Sequence, residues 1–165
     1  MSELELVLPA ERYRASYLES DREFAALGPS DGKAIHTEET FARMLEGIEG
    51  VRTGARIPPG FVQQLELWLV AGDYYVGKVQ LRKQFVLPRD NIGVAIRPSC
   101  RRKGYAHHAL RLALPQIREL GVNPINVVCS AANIAACTLV AHYGGDMVEE
   151  LAGGAFRFEV RLPPE

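Results

Sequence analysis

Residues 92–120 constrain the fold of this chain more than any other segment. The apolar run 92–96 is typical of a buried strand, and the basic stretch Arg101-Arg102-Lys103-Gly104 follows it closely. The apolar residues from Ala106 to Leu120 recur at steps of three and four, which predicts a helix with one face on a sheet. Gly121 can end that helix in the left-handed conformation. A strand, a short loop and a helix in this order predict an α/β chain.

The basic stretch has the features of an anion site. Gly104 allows close approach because it has no Cβ, and the first turn of the following helix adds unpaired N–H groups and a positive dipole end. Between Asn91 and Arg118 there is no Asp or Glu, although the whole chain has a net charge of −1. The basic residues in or bounding that interval are Arg97, Arg101, Arg102, Lys103, Arg111 and Arg118. Local basicity in a nearly neutral chain predicts a specific anion such as pyrophosphate rather than nucleic acid; the alternative is a solvated helix start.

Three short motifs resemble those of one enzyme family. Arg101-x-x-Gly104-x-Ala106 resembles the Q/R-x-x-G-x-G/A motif of the GNAT superfamily of N-acetyltransferases, in which this loop holds the pyrophosphate of acetyl-CoA. Ile96-Arg97-Pro98 stands where that family has V-x-P. Asn133 opens a second helix after the strand 125–129, as the family's motif Asn does, and Gly144-Gly145 closes it. Across residues 91–145 the chain is similar to one branch of predicted acetyltransferases.

The resemblance implies a fold, a cosubstrate and a set of contacts. The implied fold is an α/β (α+β) GNAT fold in one domain, residues 1–165, with a mixed, mostly antiparallel sheet of six to seven strands and about four helices. The strands ending near Ile96 and Ser130 are expected to part and admit acetyl-CoA. The implied cofactor-binding residues are Ala95, Ile96, Arg101, Arg102, Lys103, Gly104, Tyr105, Ala106 and Asn133, with pantetheine paired to backbone at the first two.

The implied reaction is direct transfer of acetyl to an amine, but the expected catalytic side chains are missing. Many family members have a Tyr seven residues after the motif Asn, where this chain has Val140, and Tyr143 lies three residues further on. Many also have a carboxylate before the Ile-Gly of the strand, where this chain has Asn91 with Asp90 beside it. Glu66 either points into an acceptor pocket or is a partly exposed strand carboxylate, and burial statistics favour the second. The sequence therefore assigns no catalytic base or acid.

The remaining segments predict a continuous α/β order. We expect a strand at 4–8, helices at 10–27 and from Thr37 through Ile48, a turn at 28–32, and an exposed loop at 50–60 that could border the acceptor pocket. Hairpins are predicted from 64–70 with 74–82 and from 147–151 with 155–161. Pro115 predicts a bend in the helix that follows the basic stretch.

Composition limits the classes of partner and compartment. No apolar run approaches the roughly 20 residues that span a membrane, and the N-terminus lacks a signal-peptide pattern, so we expect a cytoplasmic protein without a membrane partner. The three cysteines Cys100, Cys129 and Cys137 form no C-x-x-C pair, which indicates neither a disulfide framework nor a metal site. Cys129 and Cys137 are expected to be buried apolar residues rather than nucleophiles.

The acceptor and two alternative functions stay open at this stage. The predicted partner is a small-molecule or peptide amine, without nucleic acid, and a homodimer is the default expectation for a small enzyme. One alternative is a catalytically silent acyl-CoA-binding module, because Val140 and Asn91 depart from the family pattern. The other is a structural or nucleotide-binding α/β domain in which the basic loop holds another phosphate, and the absence of G-x-x-x-x-G-K-[S/T] and G-x-G-x-x-G disfavours it.

Overall fold

Two antiparallel sheets and four helices make up the computed structural model, which describes residues 2–28, 35–86 and 90–164. The elements are β1 (Leu4–Val7), α1 (Arg14–Ala26), α2 (Glu38–Thr53), β2 (Leu65–Ala71), β3 (Tyr74–Leu81), β4 (Ile92–Ile96), α3 (Tyr105–Glu119), β5 (Ile125–Ser130), α4 (Ile134–His142), β6 (Gly145–Leu151) and β7 (Ala155–Val160). One sheet has the order β1-β2-β3-β4 and the other β5-β7-β6. The numbers of strands and helices agree with the predicted α/β (α+β) fold, with the strands divided between two sheets.

Local sequence signals account for most element ends. Thr37 caps α2 through a capping box with Thr40, and the turns of both predicted hairpins contain glycines with positive φ. A 3₁₀ turn at Glu11–Tyr13 leads into α1, and another at Pro98–Cys100 follows β4. Residues 29–32 of the predicted turn lie outside the described residues.

The predicted loop at 50–60 is wrong at its beginning, because α2 continues through Gly50 to Thr53. The helix ends at Gly54, which has φ +79°. The chain then folds back, and the Arg56 N–H donates to the Gly50 carbonyl at 3.0 Å. The glycine at position 50 therefore serves close packing rather than helix termination, since a Cβ there would lie 3.1 Å from the Arg56 Cβ.

The two faces of the four-stranded sheet are covered by different helices. On one face, α3 packs its buried Ala109, Ala113 and Ile117 against apolar residues of β2, β3 and β4. On the other face, α1 and α2 enclose an aromatic cluster in which Tyr17 stacks on Trp68 with ring centroids 4.6 Å apart. This packing fixes α1 beside the end of β4.

Two further expectations concern helices. The helix α3 is continuous through Pro115, and the predicted bend stays a prediction. Among the described residues, no helix is both long enough and apolar enough to cross a lipid bilayer.

Candidate active site

A cleft of about 310 Å³ lies between β4 and β5. Among the described residues, the hydrogen bonds that join the two strands lie at one end, where the Asn91 N–H donates to the Asn126 carbonyl at 2.9 Å. The Asn126 N–H donates to Asn91 Oδ1 at 2.8 Å, and the Val128 N–H donates to Asp90 Oδ2 at 3.2 Å. We call this the closed end. From there the strands continue in separate sheets, and side chains of α3 and α4, including Leu110, Asn133, Val140 and Tyr143, complete the walls.

The register of β4 decides which backbone groups face the cleft. Arg97 N–H donates to the Val76 carbonyl and Arg82 N–H to the Asn91 carbonyl, so hydrogen-bonded pairs with β3 alternate along β4. Ala95, opposite Lys78, is therefore directed to β3, whereas the N–H and C=O groups of Val94 and Ile96 are directed away from it. Of the two residues predicted to contact the ligand through their backbone, Ile96 therefore has its backbone groups directed away from β3 and Ala95 does not. Val94, which lines the cleft, has the same backbone direction as Ile96.

The loop Arg101–Gly104, called the basic loop below, meets the start of α3 with open donors. Arg102 has φ +61° and Gly104 has φ +80°, and no neighbouring atom in the described parts of the chain lies within 4 Å of where a Cβ of Gly104 would be. The first helical bond runs from the His108 N–H to the Gly104 carbonyl at 3.2 Å, and no side chain of the described residues caps the helix. The N–H groups of Tyr105, Ala106 and His107 consequently have no intrahelical acceptor, which is the arrangement that binds anions.

The charge available at the basic loop is smaller than the sequence indicates. Arg97 is only 5% exposed and forms ion pairs with Glu23 (2.6 Å) and Glu19 (3.2 Å) of α1. Arg97 was counted among the basic residues of this interval, but its charge is paired with carboxylates that lie 74 and 78 residues earlier in the chain. Arg102 and Lys103 are exposed and pair with no carboxylate of the described residues.

Asn91, which precedes Ile92-Gly93, has a structural role, and its neighbour Asp90 faces the cleft. Asn91 is 2% exposed, and its Nδ2 donates to the Arg82 carbonyl at 3.0 Å. Asp90 lines the cleft at the closed end. Burial raises the pKa of Asp90, and the Val128 N–H and the Arg82 guanidinium offset only part of that rise. Sequence reasoning noted this carboxylate without assigning it, because the side-chain direction of a residue preceding a strand cannot be read from alternation.

Glu66 is buried, which corrects the preferred expectation of a partly exposed carboxylate. The residue is 4% exposed, and its two oxygens accept from Trp68 Nε1 at 3.0 Å and Gln80 Nε2 at 2.8 Å. Lys78 Nζ lies 3.8 Å away. Glu66 is part of the sheet face under α1 and α2 and is absent from the residues that line the β4–β5 cleft.

The two motif positions on α4 differ in what they contribute. Asn133 caps the helix, since its Oδ1 accepts from the Ala136 N–H at 3.1 Å, and it also lines the cleft. Val140 is buried against Gly145, where an added Cβ would lie only 2.5 Å from the Val140 Cγ1. The Tyr143 hydroxyl donates to the His107 carbonyl at 3.1 Å, which places it near the start of α3. Burial raises the pKa of Tyr143, and Arg111 offsets part of the rise.

Cys129, which lines the cleft, does not have the properties of a nucleophile. Cys129 is buried in β5, and burial together with the nearby Cys137 raises its pKa to about 12, so the thiol stays protonated. The expectation of a buried residue is thereby confirmed for Cys129, whereas Cys137 is only half-buried. Among the described residues, no group of three or more His, Cys, Asp or Glu is arranged to hold a metal ion.

Solved structures of acetyltransferases share this fold. RimL, the ribosomal L7/L12 alpha-N-protein acetyltransferase, solved with coenzyme A, aligns with a TM-score of 0.72 at 13% identity, covering 98% of this chain and 95% of its own. The yncA protein of Salmonella typhimurium, solved with its cofactor acetyl-CoA, aligns with a TM-score of 0.66 at 12% identity and the same coverage. An acetyltransferase from Thermus thermophilus aligns with a TM-score of 0.62 at 17% identity, and the alignment covers 98% of this chain and all of that one. At these identities the similarity shows the fold alone, and that fold is the one of acetyltransferases.

The sequence itself assigns the family. A family model described as "Acetyltransferase (GNAT) domain" matches residues 4–146. The chain therefore belongs to the GNAT acetyltransferase family, which confirms the resemblance found in its motifs and supports an acyltransferase function. No curated protein sequence matches it at a significant level.

Proposed function

We propose that this protein is an acetyl-CoA-dependent N-acetyltransferase that transfers acetyl directly to an amine. The observation that carries the proposal is the proximity of two features: an uncapped helix start with a basic loop, and a cleft between β4 and β5 whose lining residue Tyr143 donates to the His107 carbonyl at that helix start. The first suits a diphosphate and the second an extended chain with amide groups. Two of the similar structures were solved with coenzyme A or acetyl-CoA, which adds support.

The residues present fit such a ligand in two places. The N–H groups of Tyr105, Ala106 and His107, with the cations of Arg102 and Lys103, would hold the diphosphate, and Arg101 and Gly104 would shape that loop. The backbone groups of Val94 and Ile96 that point away from β3 would pair with the pantetheine amides, beside Ala95 on the same strand. Asn133 would close the other wall. When bound, acetyl-CoA supplies the acetyl group as an activated thioester.

Asp90 is the side chain that we assign to proton removal. It lies at the closed end of the cleft, opposite the end that would hold the diphosphate, and its raised pKa makes it a stronger base than an exposed Asp. In the proposed step the amine nitrogen bonds to the acetyl carbon, the carbon–sulfur bond breaks, and Asp90 accepts the amine proton. A thiolate whose conjugate acid has a pKa of about 8.5 can leave without a side-chain acid. Tyr143, held at the start of α3, is not assigned that role.

Cofactor binding is the first test. Thermal unfolding is measured with acetyl-CoA, CoA, ADP and NAD on the wild type, on Ala106→Glu and on the matched control Ala15→Glu in the first turn of α1. A ligand at 100 times its dissociation constant stabilises the fold by about 2.7 kcal/mol. Stabilisation by the CoA species that is lost only in Ala106→Glu supports the proposal. Absence of a CoA effect, or an equal effect in Ala106→Glu, contradicts it.

Transfer chemistry is the second test, and it separates the enzyme from a silent acyl-CoA-binding module. Thiol release from acetyl-CoA is followed with peptides bearing a free amino terminus, polyamines, aminoglycosides and small amines. Peptides come first, because RimL is a protein alpha-N-acetyltransferase. Asp90→Asn should lower kcat by about 10²–10⁴-fold, whereas Asp146→Asn on the exposed strand β6 should not. Tight binding of acetyl-CoA without thiol release for any amine would favour the silent module, which the buried Val140 motivates.

A further inference from the structure

One carboxylate of α1 contacts the chain between β4 and the basic loop at three points. Glu23 Oε1 accepts from Arg97 Nε at 2.6 Å and from the Ser99 hydroxyl at 3.0 Å. Its second oxygen accepts from the Ser99 backbone N–H at 2.9 Å. Both carboxylate oxygens are therefore used by the segment that leads into the basic loop.

Arg97 connects this segment to α1 and β3. Its Nη1 lies within hydrogen-bonding distance of the Ser16 carbonyl (3.3 Å) and the Tyr75 carbonyl (3.4 Å), and its guanidinium lies 4.5 Å from the centre of the Tyr74 ring. The side chain is thus enclosed between α1 and β3. Because Glu23 binds Arg97 and Ser99 together, the end of β4 and the following turn are held to α1 as one unit.

The next residue of α1 holds the beginning of the basic loop. The Arg101 guanidinium lies over the Phe24 ring at 5.4 Å, and its Nε donates to the Ile96 carbonyl at 3.2 Å. Arg102, immediately afterwards, has the positive φ of +61° that turns the chain toward the start of α3. Glu23 and Phe24 therefore hold residues 97–101 in place, and this segment sets the position and direction of the open N–H groups at the start of α3.

We propose that Glu23 is a positioning residue for the cofactor, because it holds Arg97 and Ser99 so that the basic loop presents its N–H groups to the diphosphate. The inference rests on the proposed function, since the basic loop is taken there as the diphosphate site. Glu23 itself does not touch the ligand. It lowers the cost of ordering the loop when the ligand binds.

Charge alone predicts the opposite effect. Glu23 is a negative group close to a site for an anion, so its removal should strengthen the binding of CoA if electrostatics decides. Removal should weaken binding if positioning decides. Glu19 is the matched control, because it lies on the same helix and pairs with the same Arg97 at 3.2 Å, but it forms no hydrogen bond with Ser99.

The experiment measures the dissociation constant of CoA by calorimetry for the wild type, Glu23→Gln, Glu19→Gln and Ser99→Ala, with unfolding of each ligand-free variant as the fold control. We expect Glu23→Gln to weaken CoA binding by about tenfold or more. Glu19→Gln should leave the constant within about twofold of the wild type or tighten it. Ser99→Ala, which keeps the backbone donor, should weaken binding by a smaller factor than Glu23→Gln.

The outcomes separate this inference from the proposed function. A wild type that does not bind CoA overturns both. A wild type that binds CoA, with Glu23→Gln binding equally or more tightly, overturns the positioning role alone. If Glu23→Gln does not fold, Ser99→Ala decides, since its side chain is exposed and its substitution leaves the core intact. Unchanged affinity in Ser99→Ala would then contradict the inference.

Discussion

Placing a carboxylate at position 91 tests how the closed end of the cleft is built. Asn91→Asp replaces the side-chain amide with a carboxylate, the group that many family members have before Ile-Gly. In this structure Asn91 is 2% exposed, and its Nδ2 faces the carbonyls of Arg82 (3.0 Å) and Lys83 (3.5 Å). A carboxylate oxygen there would face two carbonyl oxygens. The substitution should therefore destabilise the fold without adding a base to the cleft.

The size and the sign of the effect follow from burial. A fully buried carboxyl group has its pKa raised by several units, and a rise of about 2 units is a moderate value for a site that keeps the backbone and side-chain N–H donors of Asn126. At about 1.36 kcal/mol per unit, Asn91→Asp should lose about 2.7 kcal/mol of unfolding free energy at pH 7. Because the pKa is raised in the folded state, the loss is small below the unfolded pKa of about 3.9, grows between that value and the folded pKa, and is complete above the folded pKa.

Urea unfolding followed by tryptophan fluorescence measures this loss directly. Trp68 is the sole tryptophan and is 0% exposed, so its emission reports the aromatic cluster under α1. The matched control is Asn133→Asp at the exposed N-cap of α4, where Asp caps about as well as Asn and the change should be below about 0.5 kcal/mol.

Two results would refute the reasoning about position 91. One is an Asn91→Asp protein as stable as the wild type at pH 7, which would mean that the new carboxylate reaches water. The other is an equal loss at pH 4.5 and pH 7, which would mean that the cost is steric and not one of desolvation.

Three further predictions concern the basic loop and its support. Gly104→Ala and Gly121→Ala should each lose about 1 kcal/mol of stability, because both glycines have positive φ (+80° and +77°) and open space around the missing Cβ. Only Gly104→Ala should weaken CoA binding when the affinity is measured by calorimetry. Equal CoA affinities of the two variants would contradict a role for Gly104. Arg97→Met should lose about 2–3 kcal/mol in urea unfolding, since buried charge-assisted hydrogen bonds disappear, and a loss under about 1 kcal/mol would contradict this account. Burial acts to raise the pKa of Glu23, but hydrogen bonds from Ser99 and Arg97 outweigh it and lower the pKa. The contribution of Glu23 to stability is therefore present above the unfolded pKa of about 4.3 and is lost as pH falls through the folded value. Glu23→Gln should flatten the dependence of Tm on pH below 4.5, and an unchanged slope would count against the hydrogen bonds.

The elements around the basic loop could be predicted from sequence because their signals are local. The strand 92–96 and the helix after Gly104 were expected with nearly the observed bounds, since apolar spacing and glycine positions act within a few residues. The exception was 50–60, where Gly50 reads as a helix breaker although it permits close packing of Arg56 against the helix.

The partners of charged residues could not be predicted, because they come from distant parts of the chain. Arg97 reads as a free cation until α1 brings Glu19 and Glu23 to it. Glu66 reads as partly exposed until Trp68 and Gln80 satisfy its oxygens. The direction of Asp90 into the cleft likewise depends on Val128, which β5 supplies. Such pairings are set by topology rather than by spacing.

The division of the strands into two sheets has a consequence for the lifetime of the protein in a cell. The sheets meet at the Asn91–Asn126 contacts, and a molecule lying in the cleft touches both of them at once. Occupancy of the cleft would therefore oppose separation of the two halves, the kind of opening that exposes a chain to proteases. The abundance of this protein is then expected to follow the supply of its ligand, and pulse proteolysis with and without CoA would measure that dependence.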